Sequence, residues 1–326
     1  MPFLANVLFV QLIKINAPDF DLAKTLDSGQ VFHWEKIDRG FCGTIGNLPI
    51  CLEQRRDVLK VRVGERQLDR LKGSSCDGIG PAGRVVGTTV ADYFALDHPL
   101  ADICRSFPND PVMEAAREFC CGLRIIRQPK WECLAMFICS SMKQVAHIRQ
   151  ISGKLRQRFG RAHKLDHHLL YSFPSAQRLA EASEKELREC ALGYRAKNLL
   201  ATARLVANGD FNLTTISALS DADLRAHLCA LPGVGAKVAN CVMLFAYERL
   251  RAFPIDVWIE RVLRENYFPR ARRLNAARLQ RFTQEYFGEH GGYAQQYLFH
   301  HARLNTGKSK NMNRIKERAN LSRHRG

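Results

Sequence analysis

The stretch "LPGVGAKVANCVMLFAYERLRAFPID" spans residues 231–256 and places a tight turn between two helix-forming segments. Pro232 fixes one backbone dihedral, and Gly233 and Gly235 let the backbone approach another molecule without an intervening side chain. The successive amides at the start of the second helix, after Val234, then face outward and can bind an anion. The sequence therefore predicts a helix, an anion-binding turn and a second helix, with an ordinary αα-corner as the alternative.

The charge of the chain indicates which anion this turn would meet. Among 326 residues there are 49 Lys and Arg against 32 Asp and Glu, which gives a net charge of +17. A surface this positive attracts polyanions, so nucleic acid is the first expected partner and an anionic membrane the second. The turn resembles the helix-hairpin-helix, a module that binds DNA phosphates without reading the base sequence.

Hydropathy and cysteine usage predict an intracellular protein. The apolar segment "FLANVLFVQLIKI" near the start is too short to span a bilayer, contains Lys14 and lacks the basic leader of a secretory signal. The 11 cysteines are odd in number and scattered, which predicts reduced, buried thiols. We expect an intracellular, DNA-associated protein, in the nucleus of a eukaryote or in the cytoplasm and nucleoid of a prokaryote.

The pattern of apolar residues changes from strand-like to helix-like along the chain. In the first hundred or so residues, short runs such as "NVLFVQLIKI" and "VLKVRV" alternate in part and are separated by turn residues. The segment "KGSSCDGIGPAGR" then predicts a surface loop, because Pro81 interrupts its G-x-G-x-x-G spacing and no βαβ unit surrounds it. From residue 109 onward the period predicts helices, with capping boxes opening at Ser183 and Ser220 and one long helical segment ending at Gly160.

Lys237 is an unusual residue for the start of an apolar helix. The positive end of the helix dipole and the neighbouring apolar run both disfavour a charged amine, and both would lower its pKa. An uncharged amine is a nucleophile. The alternative is a lysine that binds the same phosphate as the turn.

Asp256 follows Lys237 by nineteen residues, in the sequence Pro-Ile-Asp before another helix. It is either a plain N-cap or a carboxylate kept ionised by helix amides at the mouth of the same cleft. A lysine nucleophile and a fixed carboxylate are the two groups needed to cut an N-glycosidic bond. The carboxylate stabilises the positive charge that develops on the sugar, and the amine bonds to C1′.

Five separated motifs make the chain similar to a known family. The hairpin, Lys237 and Asp256 resemble the helix-hairpin-helix DNA glycosylases. The segments "SGQVFHW", "ECLAMFICSS", "GYRA", "LPGVGAKVANC" and "YAQQYLF" are similar, in order and spacing, to the 8-oxoguanine DNA glycosylase branch. The resemblance implies base excision repair by a bifunctional glycosylase and AP lyase, in which Lys237 forms a Schiff base with C1′ and β-elimination then breaks the strand.

The resemblance also implies how the lesion is bound after it rotates out of the duplex. Gly29 matches the glycine whose carbonyl accepts from the N7–H that 8-oxoguanine has and guanine lacks. Cys241 and Phe299 match the residues that sandwich the flipped base, and Gln295 matches one that hydrogen-bonds its pairing edge. The alternatives are a hairpin glycine at position 29 and a core aromatic at position 299.

Four residues are implied to contact the duplex around the gap. Tyr194 matches an aromatic wedge beside the orphaned base and Arg195 an arginine that donates to it, with a phosphate contact or a solvated helix end as the alternatives for Arg195. Met142 and His147 stand where eukaryotic members carry an asparagine and an arginine that reads cytosine. Methionine can wedge the stack but cannot donate to cytosine, so we predict a relaxed preference for the opposite base. Trp258 likewise replaces a histidine of the eukaryotic members.

The implied fold is α+β, with an N-terminal antiparallel β-sheet domain (TBP-like) followed by a mostly helical helix-hairpin-helix glycosylase body. The expected domains are 1–110, 111–302 with the hairpin near 221–247, and a basic C-terminal tail over 303–326. No cofactor is expected, since the amine and the carboxylate suffice. No metal is expected either, because no cysteine follows Cys241 to hold an iron–sulfur cluster and no zinc spacing is visible. The expected partner of a monomer is double-stranded DNA containing oxidised guanine, with no membrane involved.

Other functions fit parts of the sequence. The same chemistry could act on an oxidised pyrimidine or an alkylated purine, although Gly29 and Gln295 favour the oxidised purine. A non-catalytic DNA-binding protein would use the hairpin as a phosphate clamp and would need neither Lys237 nor Asp256. A membrane-surface protein has only the charge in its favour.

Overall fold

The computed structural model describes residues 10–64, 81–271 and 273–305. In these ranges no helix has both the length and the apolar character needed to cross a membrane. An N-terminal antiparallel sheet precedes a body of packed helices, so the predicted α+β fold is confirmed.

The sheet is antiparallel throughout, and its strands lie in the spatial order β1-β5-β4-β3-β2 within the described residues. The strands are β1 (Val10–Asn16), β2 (Glu35–Ile37), β3 (Gly40–Ile45), β4 (Leu48–Arg55) and β5 (Val58–Gly64), with α1 (Leu22–Asp27) between β1 and β2 and α2 (Pro81–Tyr93) after β5. Leu59, Val61 and Val63 alternate along β5 and are fully buried. They pack with Val86 and Val90 of α2, which closes the apolar core of the sheet.

The helical body follows α2. Its helices are α3 (Leu100–Arg105), α4 (Pro111–Phe119), α5 (Lys130–Ser140), α6 (Val145–Phe159), α7 (Ala176–Ala180), α8 (Glu184–Leu187), α9 (Arg195–Ala207), α10 (Asp221–Cys229), α11 (Ala236–Tyr247), α12 (Val257–Val262), α13 (Ala276–Tyr286) and α14 over residues 291–305. Ser183 and Glu186 form the predicted capping box, and Ser220 caps α10 as predicted.

Two helices form the centre of the body. Helix α11 is buried from Val238 to Phe245, and α5 is buried from Glu132 to Ser140. Helices that are apolar on every side belong in a core, and these two pack against each other. Any side chain at the exposed start of α11 is therefore held against a rigid interior.

A β-hairpin interrupts the helical body. Strands β6 (Ala162–Leu165) and β7 (His168–Tyr171) pair antiparallel and contact β3 and β4 of the sheet. The apolar pattern did not predict this hairpin, because its strands are short and rich in histidine. Asp166, with a φ of +51°, adopts the left-handed conformation in the turn, where Asp is one of the tolerated residues.

A buried ion pair joins the sheet to the body. Arg156 of α6 donates to Glu132 of α5, to the Thr44 hydroxyl at 3.0 Å and to the Tyr171 carbonyl at 2.8 Å. Nδ1 of His33 lies 3.4 Å from the same Glu132 carboxyl. Burial raises the pKa of Glu132, which Arg156 opposes, and burial lowers the pKa of His33 well below its usual value. Segments far apart in sequence thus meet at one guanidinium.

The predicted boundaries are only partly addressed by the fold. The prediction of a loop over residues 72–84 is wrong for residues 81–84, because α2 begins at Pro81. Proline fits the first turn of a helix. Residues 65–80 and the predicted tail from residue 306 onward lie outside the described residues. The domain limits at 110 and 302 stay a prediction, and α14 continues through residue 305.

Two cysteines correct the prediction of reduced, buried thiols. Cys42 of β3 and Cys51 of β4 lie opposite each other, with their Cα atoms 4.1 Å apart, and form a disulfide. Cys121 and Cys229 are free but exposed. Spacing along the chain could not predict the bond, because the register of the two strands brings the sulfurs together.

Candidate active site

Lys237 lies in the first turn of α11 and is half-buried. Its Nζ is 5.2 Å from the centre of the Phe137 ring on α5. Phe137 stacks on Phe245, with ring centroids 5.5 Å apart. The amine is therefore held against an aromatic wall of the core.

Cys241 follows Lys237 by one turn of α11, and its thiol lies near the Lys237 side chain. Burial raises the pKa of Cys241 to about 11, and the charge of Lys237 only partly offsets this increase. The sulfur is therefore a neutral thiol at neutral pH, which is a poor nucleophile. The neutral thiol offers an apolar surface beside the amine. A flipped base needs such a surface to stack on, as predicted for Cys241.

Asp256 caps α12 and also belongs to the site of Lys237. Its Oδ1 accepts from the backbone amides of Trp258 at 3.1 Å and Ile259 at 2.9 Å. Burial raises the pKa of this carboxyl, whereas the two amides and the charge of Lys237 oppose the increase. The charge of Lys237 thus acts on the carboxyl that caps α12, so the N-cap and active-site interpretations are compatible.

Gly29 lies in a turn whose backbone is fixed on both sides. The neighbouring Gln30 is fully buried and donates to the Arg124 carbonyl at 2.8 Å. Gln296 donates to the Ser28 carbonyl at 2.9 Å. Gly29 itself has a φ of +88°, a conformation that favours glycine. The direction of its carbonyl is therefore set by buried contacts.

Phe299 and Gln295 lie one turn apart on α14, beside Gly29. A Cβ atom at position 29 would lie 3.0 Å from Cε1 of Phe299 and 3.5 Å from Cγ2 of Val145. Gln295 is 4% exposed, and its Oε1 has no hydrogen-bond partner among the described residues. An unpaired buried acceptor costs about 1–3 kcal/mol, so it marks a place where a ligand can donate.

The hairpin has the predicted helix, turn and helix, and its two glycines differ in surroundings. Gly233 has a φ of +81°, and a Cβ there would lie 2.8 Å from Cβ of Asn198 on α9. Gly235 precedes α11, and a Cβ there would meet no atom within 4 Å. Val234 is buried in the core, so a ligand can reach this position only through its backbone.

The four residues predicted to contact the gap are not equivalent. Met142 is 93% exposed and Tyr194 is 57% exposed, and the Tyr194 hydroxyl lies 3.9 Å from Sδ of Met142. His147 is exposed near the start of α6. Arg195 is buried. Its guanidinium is therefore not at a solvated helix end, and it does not face solvent beside Met142.

Sequence reasoning missed three residues of the site. Phe137 faces the amine, Val145 faces Gly29, and Asn198 packs against Gly233. Phe137 lies within the quoted motif "ECLAMFICSS", so an aromatic on the helix opposite Lys237 was a usable signal. Val145 and Asn198 carry no signal of their own, because their roles come from tertiary packing.

Three possible metal ligands lie where β3 and β4 meet the β6–β7 hairpin. Cys42, Cys51 and His168 place their donor atoms within 4.8 Å of one another. Since the two sulfurs are bonded to each other, neither offers a thiolate to a metal ion. The predictions that the protein needs no metal and no cofactor stay predictions.

Two family models match adjacent parts of the chain. Residues 12–134 match the model of the 8-oxoguanine DNA glycosylase N-terminal domain, and residues 135–285 match the HhH-GPD superfamily of base excision DNA repair proteins. The N-glycosylase/DNA lyase of Saccharomyces cerevisiae is 31% identical over 274 residues, covering 78% of this chain and 70% of the yeast protein. The N-glycosylase/DNA lyase OGG1 of Arabidopsis thaliana is 28% identical over 299 residues, covering 88% of this chain and 78% of that protein.

Solved structures agree with this match. The Clostridium acetobutylicum 8-oxoguanine glycosylase/lyase, in complex with dsDNA containing cytosine opposite 8-oxoG, has a TM-score of 0.78 and 26% identity. That match covers 91% of this chain and 98% of the Clostridium chain. MBOgg1, in complex with a low affinity DNA ligand, has a TM-score of 0.79 and 28% identity, covering 90% of this chain and 98% of its own. The likeness therefore includes both the sheet and the helical body.

Proposed function

Because the chain belongs to the 8-oxoguanine DNA glycosylase family of helix-hairpin-helix base excision repair proteins, we propose that Lys237 and Asp256 carry out glycosylase and lyase reactions on 8-oxoguanine in duplex DNA. The observation that carries this proposal is a largely buried carboxylate that two helix amides fix in place and whose pKa the charge of Lys237 lowers against the effect of burial. A phosphate clamp would need neither group. The protein is a bifunctional DNA repair enzyme.

The lesion enters the site by rotation out of the duplex, because its C1′ cannot be reached in the base stack. Cys241 and Phe299 contact the two faces of the flipped base, and Gln295 supplies an unpaired buried acceptor to its pairing edge. The carbonyl of Gly29 accepts from N7–H of 8-oxoguanine. Guanine has an acceptor at N7, so two acceptors would face each other and binding would be disfavoured.

The chemistry proceeds in two steps. The lone pair of Lys237 Nζ bonds to C1′ while the N-glycosidic bond breaks and its electron pair leaves with the base. The Asp256 carboxylate stabilises the positive charge that develops on the sugar. The nitrogen then loses a proton and its lone pair forms the Schiff base as the C1′–O4′ ring bond breaks and O4′ takes up a proton. Removal of a proton from C2′ then breaks the bond between C3′ and its oxygen, and the 3′ phosphate leaves with that electron pair.

The duplex is held by the hairpin and by the residues around the gap. The backbone amides of the hairpin turn, which contains Gly233, Val234 and Gly235, bind a phosphate. The net charge of +17 attracts the DNA backbone. Met142 and Tyr194 fill the space of the extruded nucleotide, and His147 lies toward the opposite base. We infer that one protomer suffices, because the proposed site residues all come from one chain, and that the enzyme works inside the cell where its DNA is.

A panel of lesions tests this function. Duplexes of one sequence carry 8-oxoguanine, guanine, an oxidised pyrimidine or an alkylated purine, and the released base is measured under single-turnover conditions. We expect 8-oxoguanine to be released faster than guanine by a factor on the order of 10⁴, the discrimination typical of a site built to accept one hydrogen bond. Faster release of another lesion would reassign the substrate, and duplex binding without any base release would support a non-catalytic clamp.

A further inference from the structure

Two cysteines lie on the face of the N-terminal sheet that is turned away from α2. Phe41 and Leu52 pack into the apolar core that α2 closes, and side chains alternate along a strand. Cys42 follows Phe41 in β3 and Cys51 precedes Leu52 in β4, so both cysteines point to the opposite face. They are paired directly across the two strands and are 0% and 1% exposed.

The β6–β7 hairpin covers these cysteines and brings a histidine to them. Strand β7 contacts β3, and β6 contacts β4. Leu165 and Leu170, one from each strand of the hairpin, form a small buried cluster with both cysteines. His168 is paired with Leu165 across the hairpin, so it lies on the same face. One ring nitrogen of His168 and the two sulfurs lie within 4.8 Å of one another.

These three donor atoms suit a zinc ion once the disulfide between the cysteines is reduced. Zn²⁺ binds thiolate sulfur at about 2.3 Å and imidazole nitrogen at about 2.0–2.1 Å, with four ligands in a tetrahedron. Two thiolates balance the charge of one Zn²⁺, so the complex is neutral, and a neutral complex can be buried among leucines. His168 is only half-buried, so a water molecule can reach the fourth position.

Reduction and metal binding are two separate steps. Two molecules of a small thiol form a disulfide with each other and leave two protein thiols in place of the Cys42–Cys51 bond. The freed sulfurs move apart by rotation of their side chains, each loses one proton to water, and both bind the ion with neutral His168. Small thiols keep most cysteines reduced inside a cell, so the thiol form is the one that an intracellular enzyme presents.

We propose that Cys42 and Cys51, when reduced, bind a Zn²⁺ ion together with His168, and that this ion fastens the β6–β7 hairpin to the N-terminal sheet. The disulfide joins β3 only to its neighbour β4, whereas the ion also joins β7. The spacing of cysteines and histidines along the chain could not indicate the site, because its ligands come from three strands of two sheets. The ion takes no part in the reaction proposed for Lys237 and Asp256.

The first experiment measures metal binding by the full-length protein, oxidised or reduced with a phosphine that is then removed. Co²⁺ replaces Zn²⁺ as the probe, because cobalt bound to thiolate gives a sulfur-to-metal charge-transfer band. We expect one tetrahedral Co²⁺ per reduced chain, displaced by Zn²⁺, and none in the oxidised protein. Cys42→Ser should abolish the band. His168→Ala should weaken binding at least about 100-fold, because losing a residue that merely orients a ligand already costs 10–100-fold.

Two sets of variants control for other cysteines and histidines. His167 adjoins His168 in the hairpin but is exposed, and Cys121 and Cys229 are the free cysteines that solvent reaches among the described residues. His167→Ala, and Cys121→Ser combined with Cys229→Ser, should bind Co²⁺ as the wild-type protein does. If Cys42→Ser does not fold, Cys42→Ala combined with Cys51→Ala replaces it.

The second experiment measures whether the ion holds the hairpin. Hydrogen exchange of backbone amides over residues 162–171 is followed without DNA, with and without Zn²⁺. Exchange should slow on addition of Zn²⁺ to the reduced wild-type protein. It should not respond to Zn²⁺ in the oxidised protein or in reduced His168→Ala.

Equal Co²⁺ binding by the oxidised and reduced proteins, or an undiminished band in Cys42→Ser, would overturn the site. Equal losses in His167→Ala and His168→Ala would overturn the role of His168. Zinc that binds without slowing exchange over 162–171 would overturn the link between hairpin and sheet. If the wild-type protein excises no lesion, the proposed function fails while the cobalt titration still decides the site. Absence of metal binding leaves the proposed reaction intact, because that reaction uses no metal.

Discussion

Asp256 serves the fold and the reaction with a single carboxylate. Both amide hydrogen bonds of the N-cap go to Oδ1, and a cap of this kind stabilises a helix by about 1 kcal/mol. Burial raises the pKa of this carboxyl. An asparagine keeps the acceptor of the cap but removes the charge, so the two roles can be separated by one substitution.

Asp256→Asn is expected to lower the rate of base release by about 10²–10³, the usual effect of removing one group that stabilises charge in the transition state, with little change in stability. A carboxyl with a raised pKa loses its charge at a higher pH than an exposed aspartate with a pKa of about 3.9. The rate of the wild-type enzyme should therefore decrease as the pH falls through that raised pKa. Single-turnover rates across a pH series measure this decrease.

Asp110→Asn is the matched control for Asp256→Asn. Asp110 also caps a helix through one oxygen, which accepts from Val112 and Met113 at 2.9 Å, but it lies outside the proposed site. The control should keep the wild-type rate and its pH dependence. An equal loss in both variants, or a wild-type pH profile in Asp256→Asn, would mean that the carboxylate acts only as a cap.

Gly29→Ala is expected to reduce excision of 8-oxoguanine without weakening affinity for undamaged duplex. The new Cβ would lie 3.0 Å from Phe299 Cε1, so the ring that contacts the base must move. The positive φ of +88° adds a conformational penalty of roughly 1–2 kcal/mol in unfolding free energy. Gly46→Ala carries a similar backbone penalty, with a φ of +56° and no atom within 4 Å, and should keep full excision. Equal excision by the two variants would argue against Gly29 as part of the base pocket.

At the scale of elements, the two glycines of the hairpin before α11 differ in their surroundings: Gly233 packs against Asn198, whereas Gly235 leaves room for a ligand. Gly233→Ala is expected to lower the unfolding free energy by about 1–3 kcal/mol, because its Cβ would collide with Asn198. Gly235→Ala should leave stability unchanged or raise it by about 0.4–1 kcal/mol, yet weaken duplex binding, because its methyl group would stand where a phosphate approaches. Denaturant unfolding and duplex affinity measure both. Wild-type affinity in Gly235→Ala would show that no phosphate approaches this turn.

The sequence predicted the sheet before the helices, the caps at Ser183 and Ser220 and the helix end at Gly160, but not the interruptions. Apolar residues recur regularly from Lys130 to Gly160, so periodicity predicted one helix there. The chain instead breaks at Met142, which has a left-handed backbone and follows a Ser141 carbonyl that accepts from Arg195 of α9. Local patterns cannot contain this information, because Arg195 lies more than fifty residues away along the chain.

The candidate site shows the same division between local and tertiary information. Lys237 and Asp256 were predictable because each follows a turn with a recognisable local pattern. Phe299 and Gln295 were assigned only by resemblance, since an aromatic and an amide on a helix have no distinctive local signal. Burial of Arg195 could not be predicted, because a charged residue at a helix start is usually exposed.

At the scale of the molecule, Arg156 is expected to make the sheet and the helical body unfold together. Arg156→Met leaves Glu132 buried without its partner, and breaking a buried pair in this way costs about 3–5 kcal/mol. The loss should be smaller at acidic pH, because burial raises the pKa of Glu132 and the neutral acid needs no partner. Unfolding of the wild-type protein, followed separately by circular dichroism and tryptophan fluorescence, should give one transition.

The double variant Glu132→Gln with Arg156→Met controls for the lost charge. It should recover part of the stability, because no uncompensated carboxylate remains in the interior. Two separate transitions in the wild-type protein, or a loss below about 1 kcal/mol in Arg156→Met, would show that this pair does not couple the two parts.

The most direct measurement is covalent trapping of the enzyme on a duplex that contains 8-oxoguanine. Borohydride reduces a Schiff base between Lys237 and C1′ to a stable amine, which links protein and DNA. We predict an adduct with the wild-type protein and none with Lys237→Gln, although both proteins should bind the duplex. An adduct that persists in Lys237→Gln, or strand cleavage by the wild-type protein without any adduct, would contradict the assignment of this amine as the nucleophile.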